Sequence, residues 1–173
     1  MTLKSFASAL GVALLMSPLA AMPSQAAKPP LGMQLFCLNY ASNCQADSTR
    51  EVAMSDRLMA LLSQVNSRVN RSMRYRAERG MIDDWKVGGR SGDCEDFALT
   101  KRAQLIGKGV PAGALRLATT KTRRGEPHAV LVVRTDRGDF ILDNLSGQVK
   151  TRRAAGYRLQ MMSTNDPLVW SAG

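Results

Sequence analysis

Between Asp47 and Glu78 the apolar residues Met54, Leu58, Leu61, Leu62, Val65, Val69 and Met73 recur at the 3.6-residue spacing of one helix face, with basic residues opposite. Ser48-Thr49-Arg50-Glu51 reads as a capping box and Gly80 as a stop, so the pattern predicts one long helix from Asp47 to about Glu78. Met81 to Gly92 is polar and glycine-rich and reads as a loop. From Cys94 onward Phe97, Ala98, Leu99, Ala103, Leu105 and Ile106 surround most of a second helix, as expected of a central, covered one. Asp93 suits its N-cap, Glu95 and Asp96 suit the positive end of its dipole, and Gly107, Gly109 and Pro111 close it. At Ala114 the period changes to two. Ala114–Thr122, His128–Thr135 and Asp139–Leu145 read as strands, with Tyr157–Ser163 as a fourth and a turn at Arg137-Gly138. Helices followed by antiparallel strands give an α+β order.

The start of the chain has a different pattern. Lys4, an apolar run from Phe6 to Leu15, Pro18 and the small-x-small site Ser24-Gln25-Ala26 form a secretory signal peptide over residues 1–26. The run is short for a membrane span, so the processed protein is expected in the periplasm or secreted, and not as an integral membrane protein. Residues 27–47 then form an N-terminal segment and residues 48–173 the main domain. In an oxidising compartment Cys37 and Cys44, close in sequence, are the natural disulfide pair. Cys94 is left over, as a reactive thiol, an intermolecular bridge or an inert buried residue.

The formal net charge is +10. The basic residues are scattered and not interleaved with aromatics, which argues against a nucleic-acid partner. A solvated basic face explains them more simply than attraction to an acidic partner or membrane surface.

A cysteine in the first turn of a buried helix has a thiolate favoured by the helix amides, and a thiol nucleophile also needs a general base. His128 is the only histidine, so it is the one candidate; the plainer alternative is a histidine that merely begins a strand. A catalytic histidine needs an orienting acid. A four-residue loop from Thr135 to Gly138 would pair Arg134 with Asp139 and Val130 with Asp143, leaving His128 and Asp143 diagonal on one face. The plainer alternative for Asp143 is a strand-end acid bonding a turn, and Trp85 reads as lining the site or packing in the core or a loop. One histidine and one free cysteine are too few for zinc, and no organic cofactor is indicated.

"GDCEDFALTKR", "PAGALRLA", "GEPHAVLVVRTDRGDFILDNL" and "VNSRVNRSMRYR…DDW" resemble the bacterial transglutaminase-like cysteine peptidases from about Val65 to Leu145. The resemblance implies a papain-like, transglutaminase-type core with N-terminal helices packed on an antiparallel sheet. It implies a Cys94–His128–Asp143 triad that hydrolyses an amide bond of a protein substrate through a thioester. It further implies calcium at the acids flanking the cysteine, Asp93 and Glu95. The best-known members are periplasmic proteases that release a surface adhesin under a cyclic-di-GMP receptor in the inner membrane, so an adhesin or other envelope protein and such a receptor are the implied partners. The loop before the cysteine departs from the family's usual W-x-T-P-x-E; here it reads "WKVGGRS", which leaves the substrate side open. An acyl transferase on the same triad and a non-catalytic basic periplasmic binding protein are the rival readings.

Overall fold

The computed structural model describes residues 26–78 and 83–173, so the leader expected over residues 1–26 falls almost wholly outside the described residues, as does Gly80, the expected helix stop. Residues 27–47, where the hydrophobic pattern predicts no element, contain helix α1 (Leu31–Asn39), which buries Met33 and Phe36, and a short 3-10 turn, Ala41–Cys44. Cys37 and Cys44 form the expected disulfide, with Cα atoms 5.6 Å apart.

The long helix is shorter than its pattern at both ends. Helix α2 spans Asp56–Ser72, and its N-cap is Ser55, whose hydroxyl accepts from Leu58 N (3.1 Å). The capping-box residues before it serve other partners. Asp47 accepts from Thr49 N and Gly113 N. Val52 N donates to Arg134 O, and Met54 N donates to Asp136 Oδ1 at 2.7 Å. Backbone groups that a helix would have satisfied locally are satisfied by distant chain instead. Beyond Ser72, strand β1 (Arg74–Tyr75) pairs in parallel with β2 (Ser91–Gly92), so residues expected in the helix's last turns are extended.

Helix α3 (Cys94–Ile106) begins and ends as its sequence predicts. Nine of its thirteen residues are buried, which makes it the central helix. Strands β3 (Leu115–Lys121), β4 (Pro127–Thr135), β5 (Gly138–Leu142) and β6 (Lys150–Thr151) follow, then a one-turn helix α4 (Arg152–Ala155) and strands β7 (Met161–Ser163) and β8 (Trp170–Ala172). They form an antiparallel sheet in the order β6-β5-β4-β3-β7-β8. The β4–β5 register pairs Arg134 with Asp139, as the loop-length argument requires. Thr135 also pairs with Gly138, whose φ of +94° closes the turn in a conformation suited to glycine. Two expected strands are trimmed: β5 stops before Asp143, and Tyr157 to Gln160 lie outside β7.

Both faces of the sheet are covered. Leu115, Leu117, Leu131, Val133 and Leu142 join one core with Leu62, Val65, Val69, Phe97, Leu99 and Leu105 of the helices. The alternate positions Ala118, Val130, Val132 and Ile141 meet Leu159 and Met162 in a second core. Strand β4 is therefore apolar along its middle because neither face sees water. Met33 and Phe36 place α1 in the first core, and Trp85 packs there too. The mixed helix and antiparallel-sheet architecture is the expected α+β class.

Candidate active site

Helix α3 starts against the start of β4, and this brings the one free cysteine beside the chain segment that carries the one histidine. Cys94 is the first residue of α3 and is 9% exposed. The main-chain N–H of Ala129, next to His128, acts on its sulfur and favours the thiolate. That influence is outweighed. Burial first, and Glu95 second, push the Cys94 thiol well above its ordinary pKa. Accordingly the thiol donates to Glu95 Oε2 at 2.9 Å and is not hydrogen-bonded to His128. The N-cap geometry of Asp93 includes no side-chain hydrogen bond to the helix.

Two residues on, Asp96 turns back across the loop and accepts from Lys86 N at 2.9 Å. Its side chain lies where a Cβ at position 92 would stand, so the glycine of "SGDCED" is a steric requirement. Burial raises Asp96 to a pKa of about 6.

His128 and Asp143 meet. His128 Nε2 donates to Asp143 Oδ1 at 2.9 Å, and both side chains are about 5% exposed. The donor is assigned to Nε2 because its partner is a carboxylate; Nδ1 is thereby the ring nitrogen free to take a proton. Leu145 N also donates to Oδ1, and Tyr157 Oη donates to Oδ2 at 2.6 Å. Burial would push Asp143 up, but the bonds from His128, Tyr157 and Leu145 hold it below the usual carboxylate value. Asp143 is thus held in its ionised form against the His128 ring. It stands just past β5, in a turn held from α2: Asn70 Nδ2 donates to the carbonyls of Asp143 (2.8 Å) and Ser146 (3.0 Å), and Asn66 Nδ2 to that of Ser146 (2.9 Å). The sequence singles out none of Tyr157, Asn66 and Asn70 as a site residue, although both asparagines lie in the stretch VNSRVNRSMRYR that carries the family resemblance, because each acts through a fold-dependent contact.

Behind the pair, Lys101 is fully buried with no hydrogen-bond partner among the described residues. Burial lowers it to a pKa of about 7, against the pull of Asp143.

The expected calcium residues divide. Asp93 belongs with Glu78 and Asp83 to a group whose oxygens lie within 4.8 Å of one another. Glu95 is bonded to Cys94, though it feels Asp93 and Asp83 electrostatically; burial foremost raises it to a pKa of about 7. Asp83 accepts from Trp85 Nε1 at 2.6 Å, so Trp85 both packs in the core and steadies one of these acids.

Comparisons with known proteins bear on the family and the fold. The sequence profile of the family described as bacterial transglutaminase-like cysteine proteinase (BTLCP) matches residues 23–172. No curated protein sequence matches the chain. Among solved structures, calcium-bound LapG of Legionella pneumophila is 25% identical with a TM-score of 0.58, over 66% of this chain and 69% of that one. The EGTA-treated form of LapG is 26% identical with a TM-score of 0.55, over 67% and 68%. A third structure of LapG is 26% identical with a TM-score of 0.58, over 67% and 69%.

Proposed function

The chain belongs to the bacterial transglutaminase-like cysteine proteinase family, and from that premise we propose that it is an exported peptidase in which Cys94, His128 and Asp143 hydrolyse a protein substrate. The observation that carries the reading is the His128–Asp143 bond, 2.9 Å long and buried, at the strand start that also touches Cys94.

The chemistry follows from three roles. Asp143 fixes the ring and steadies its protonated form. The Cys94 thiol turns from Glu95 toward His128 and gives its proton to Nδ1. Sulfur attacks the substrate carbonyl carbon, and main-chain amides at the start of α3 face the developing oxyanion. The carbon–nitrogen bond breaks as His128 returns the proton to the amine. Water, deprotonated by His128, then attacks the thioester and releases the acid and the free thiol.

Calcium is the second part of the proposal. LapG is a calcium-bound neighbour, and here Glu78, Asp83 and Asp93 offer hard oxygen donors close together. Asp83 is raised above its ordinary value by burial, with Asp93, Glu78 and Asp84 adding to it, so the group fits a cation. A cation held by these three acids would neutralise Asp93, whose charge adds to the burial and the Glu95 carboxylate that keep the Cys94 thiol protonated.

Export rests on the N-terminal pattern and on the Cys37–Cys44 disulfide, which persists outside reducing compartments. The substrate class is protein; an adhesin or other envelope protein, and a regulatory receptor, follow from the family resemblance alone.

The test is labelling with a thiol-directed electrophile, using protein recovered from the cell envelope, whose first residue by sequencing is expected to be Ala27. Cys94 should label stoichiometrically, and His128→Ala should slow labelling about a hundredfold. Equal rates in the two proteins would overturn the triad.

A further inference from the structure

A cleft of about 420 Å³ opens directly beside Asp143 and Tyr157. Ile141, Leu145 and Ala155 make an apolar wall, with Lys150 beside Ile141 as its cross-strand partner, and Arg123 and Arg124 add two more cations to the lining. The arginines sit on the hairpin between β3 and β4. That hairpin is ordered: Thr122 N donates to Glu126 O at 2.9 Å, and the Thr122 hydroxyl accepts from Arg124 N and Glu126 N.

The charge balance in the cleft is positive. Its two carboxylates are Asp143 and Glu126. Asp143 is already engaged by His128, Tyr157 and Leu145. Glu126 is bonded to the Thr122 hydroxyl. Arg123, Arg124 and Lys150 make no ion pair among the described residues. Arg123 lies near enough to the Tyr157 phenol to act on it electrostatically, so its positive charge reaches the residue that holds the orienting acid.

Cations with no ion-pair partner among the described residues, beside an apolar wall and next to Asp143, the acid bonded to His128, match a carboxylate on an aliphatic stem. A free inorganic anion would leave the apolar wall unused. Building on the peptidase reading above, we propose that this cleft is a substrate subsite that takes an Asp or Glu side chain close to the scissile bond, with Arg123, Arg124 and Lys150 as its cationic partners. The high positive charge of the chain is in this view partly a specificity device, rather than solely a solvated face.

The test is a competition digest. Alanine-rich peptides carry Glu, or its uncharged counterpart Gln, at one position at a time, and mass spectrometry reads their relative consumption. At one position the Glu peptide should be consumed about tenfold faster than its Gln partner, equivalent to about 1.4 kcal/mol. Arg123→Glu with Arg124→Glu should abolish that preference. Arg68→Glu with Arg71→Glu, an equal charge change on the exposed face of α2, should leave it intact. Equal consumption of Glu and Gln peptides, or equal loss in both double variants, would overturn the subsite. If no peptide is cleaved, the peptidase reading fails, and fluorescence anisotropy of a labelled Glu-rich peptide on the Cys94→Ala protein decides the subsite separately. Binding lost only with Arg123 and Arg124 reversed sustains it; binding unchanged, lost equally in both doubles, or undetectable rejects it.

Discussion

Asp143 accepts three hydrogen bonds on two oxygens, and its strength as a partner for His128 depends on all of them. Tyr157→Phe removes the donor 2.6 Å from Oδ2 and leaves that oxygen unpaired in a buried site. Hydrogen bonds to the carboxylate hold Asp143 low, so losing one raises its pKa. The acid limb of the activity profile should therefore move to higher pH and kcat should fall about tenfold, with KM little changed. An unchanged profile would assign Tyr157 to packing alone. Lys101 tests the same region through stability. Its folded pKa, about 7, lies below the unfolded value, so the stability linked to it is full above the unfolded pKa and is lost as pH falls toward 7. Lys101→Met removes the cost of burying the charge. We expect stabilisation on the order of 2 kcal/mol at pH 7, shrinking toward pH 10, by chemical denaturation. A gain that does not vary with pH would mean the lysine is not buried as a titrating charge.

At the scale of elements, the start of α2 is decided by the β4–β5 hairpin. The capping-box motif at Ser48 to Glu51 is a sound local signal, yet Val52 and Met54 give their N–H groups to Arg134 and Asp136. Asp136→Ala removes one anchor and should cost about 1–2 kcal/mol, with faster hydrogen exchange at Met54. Unchanged exchange there would show that the extended segment holds itself. The same competition ends α2 early, where Arg74 N finds Arg90 O. By contrast α3 keeps its predicted bounds. Its stop is local, with Gly107 N returning to Ala103 O, and its all-round apolar pattern suits a helix covered on every side. Strands β3 and β4 keep theirs within a residue, because alternation and a short turn constrain their register from nearby sequence.

Taken whole, the molecule separates charge across its site, with carboxylates of Glu78, Asp83 and Asp93 near the start of α3 and free cations beside Asp143. A cation bound only by the native protein stabilises it by mass action. Saturating calcium should raise Tm by about 5 °C, and Asp83→Asn with Asp93→Asn should abolish the rise. An equal rise in the double variant would remove the ion from this group. By itself the sequence determined the α+β order, α3, the central hairpin register, the disulfide pair and the residues Cys94, His128 and Asp143 as candidates. These rest on helical period, alternation and turn length and, for the disulfide, on two cysteines close together in an exported chain, which are properties of neighbouring residues. Only the tertiary structure decided that Cys94 bonds Glu95, that Tyr157 holds Asp143 from 14 residues away, that Asn70 holds it from 73, and that a basic cleft lies next to them. Such contacts leave no periodic trace, because they are made by side chains that folding brings together from separate elements.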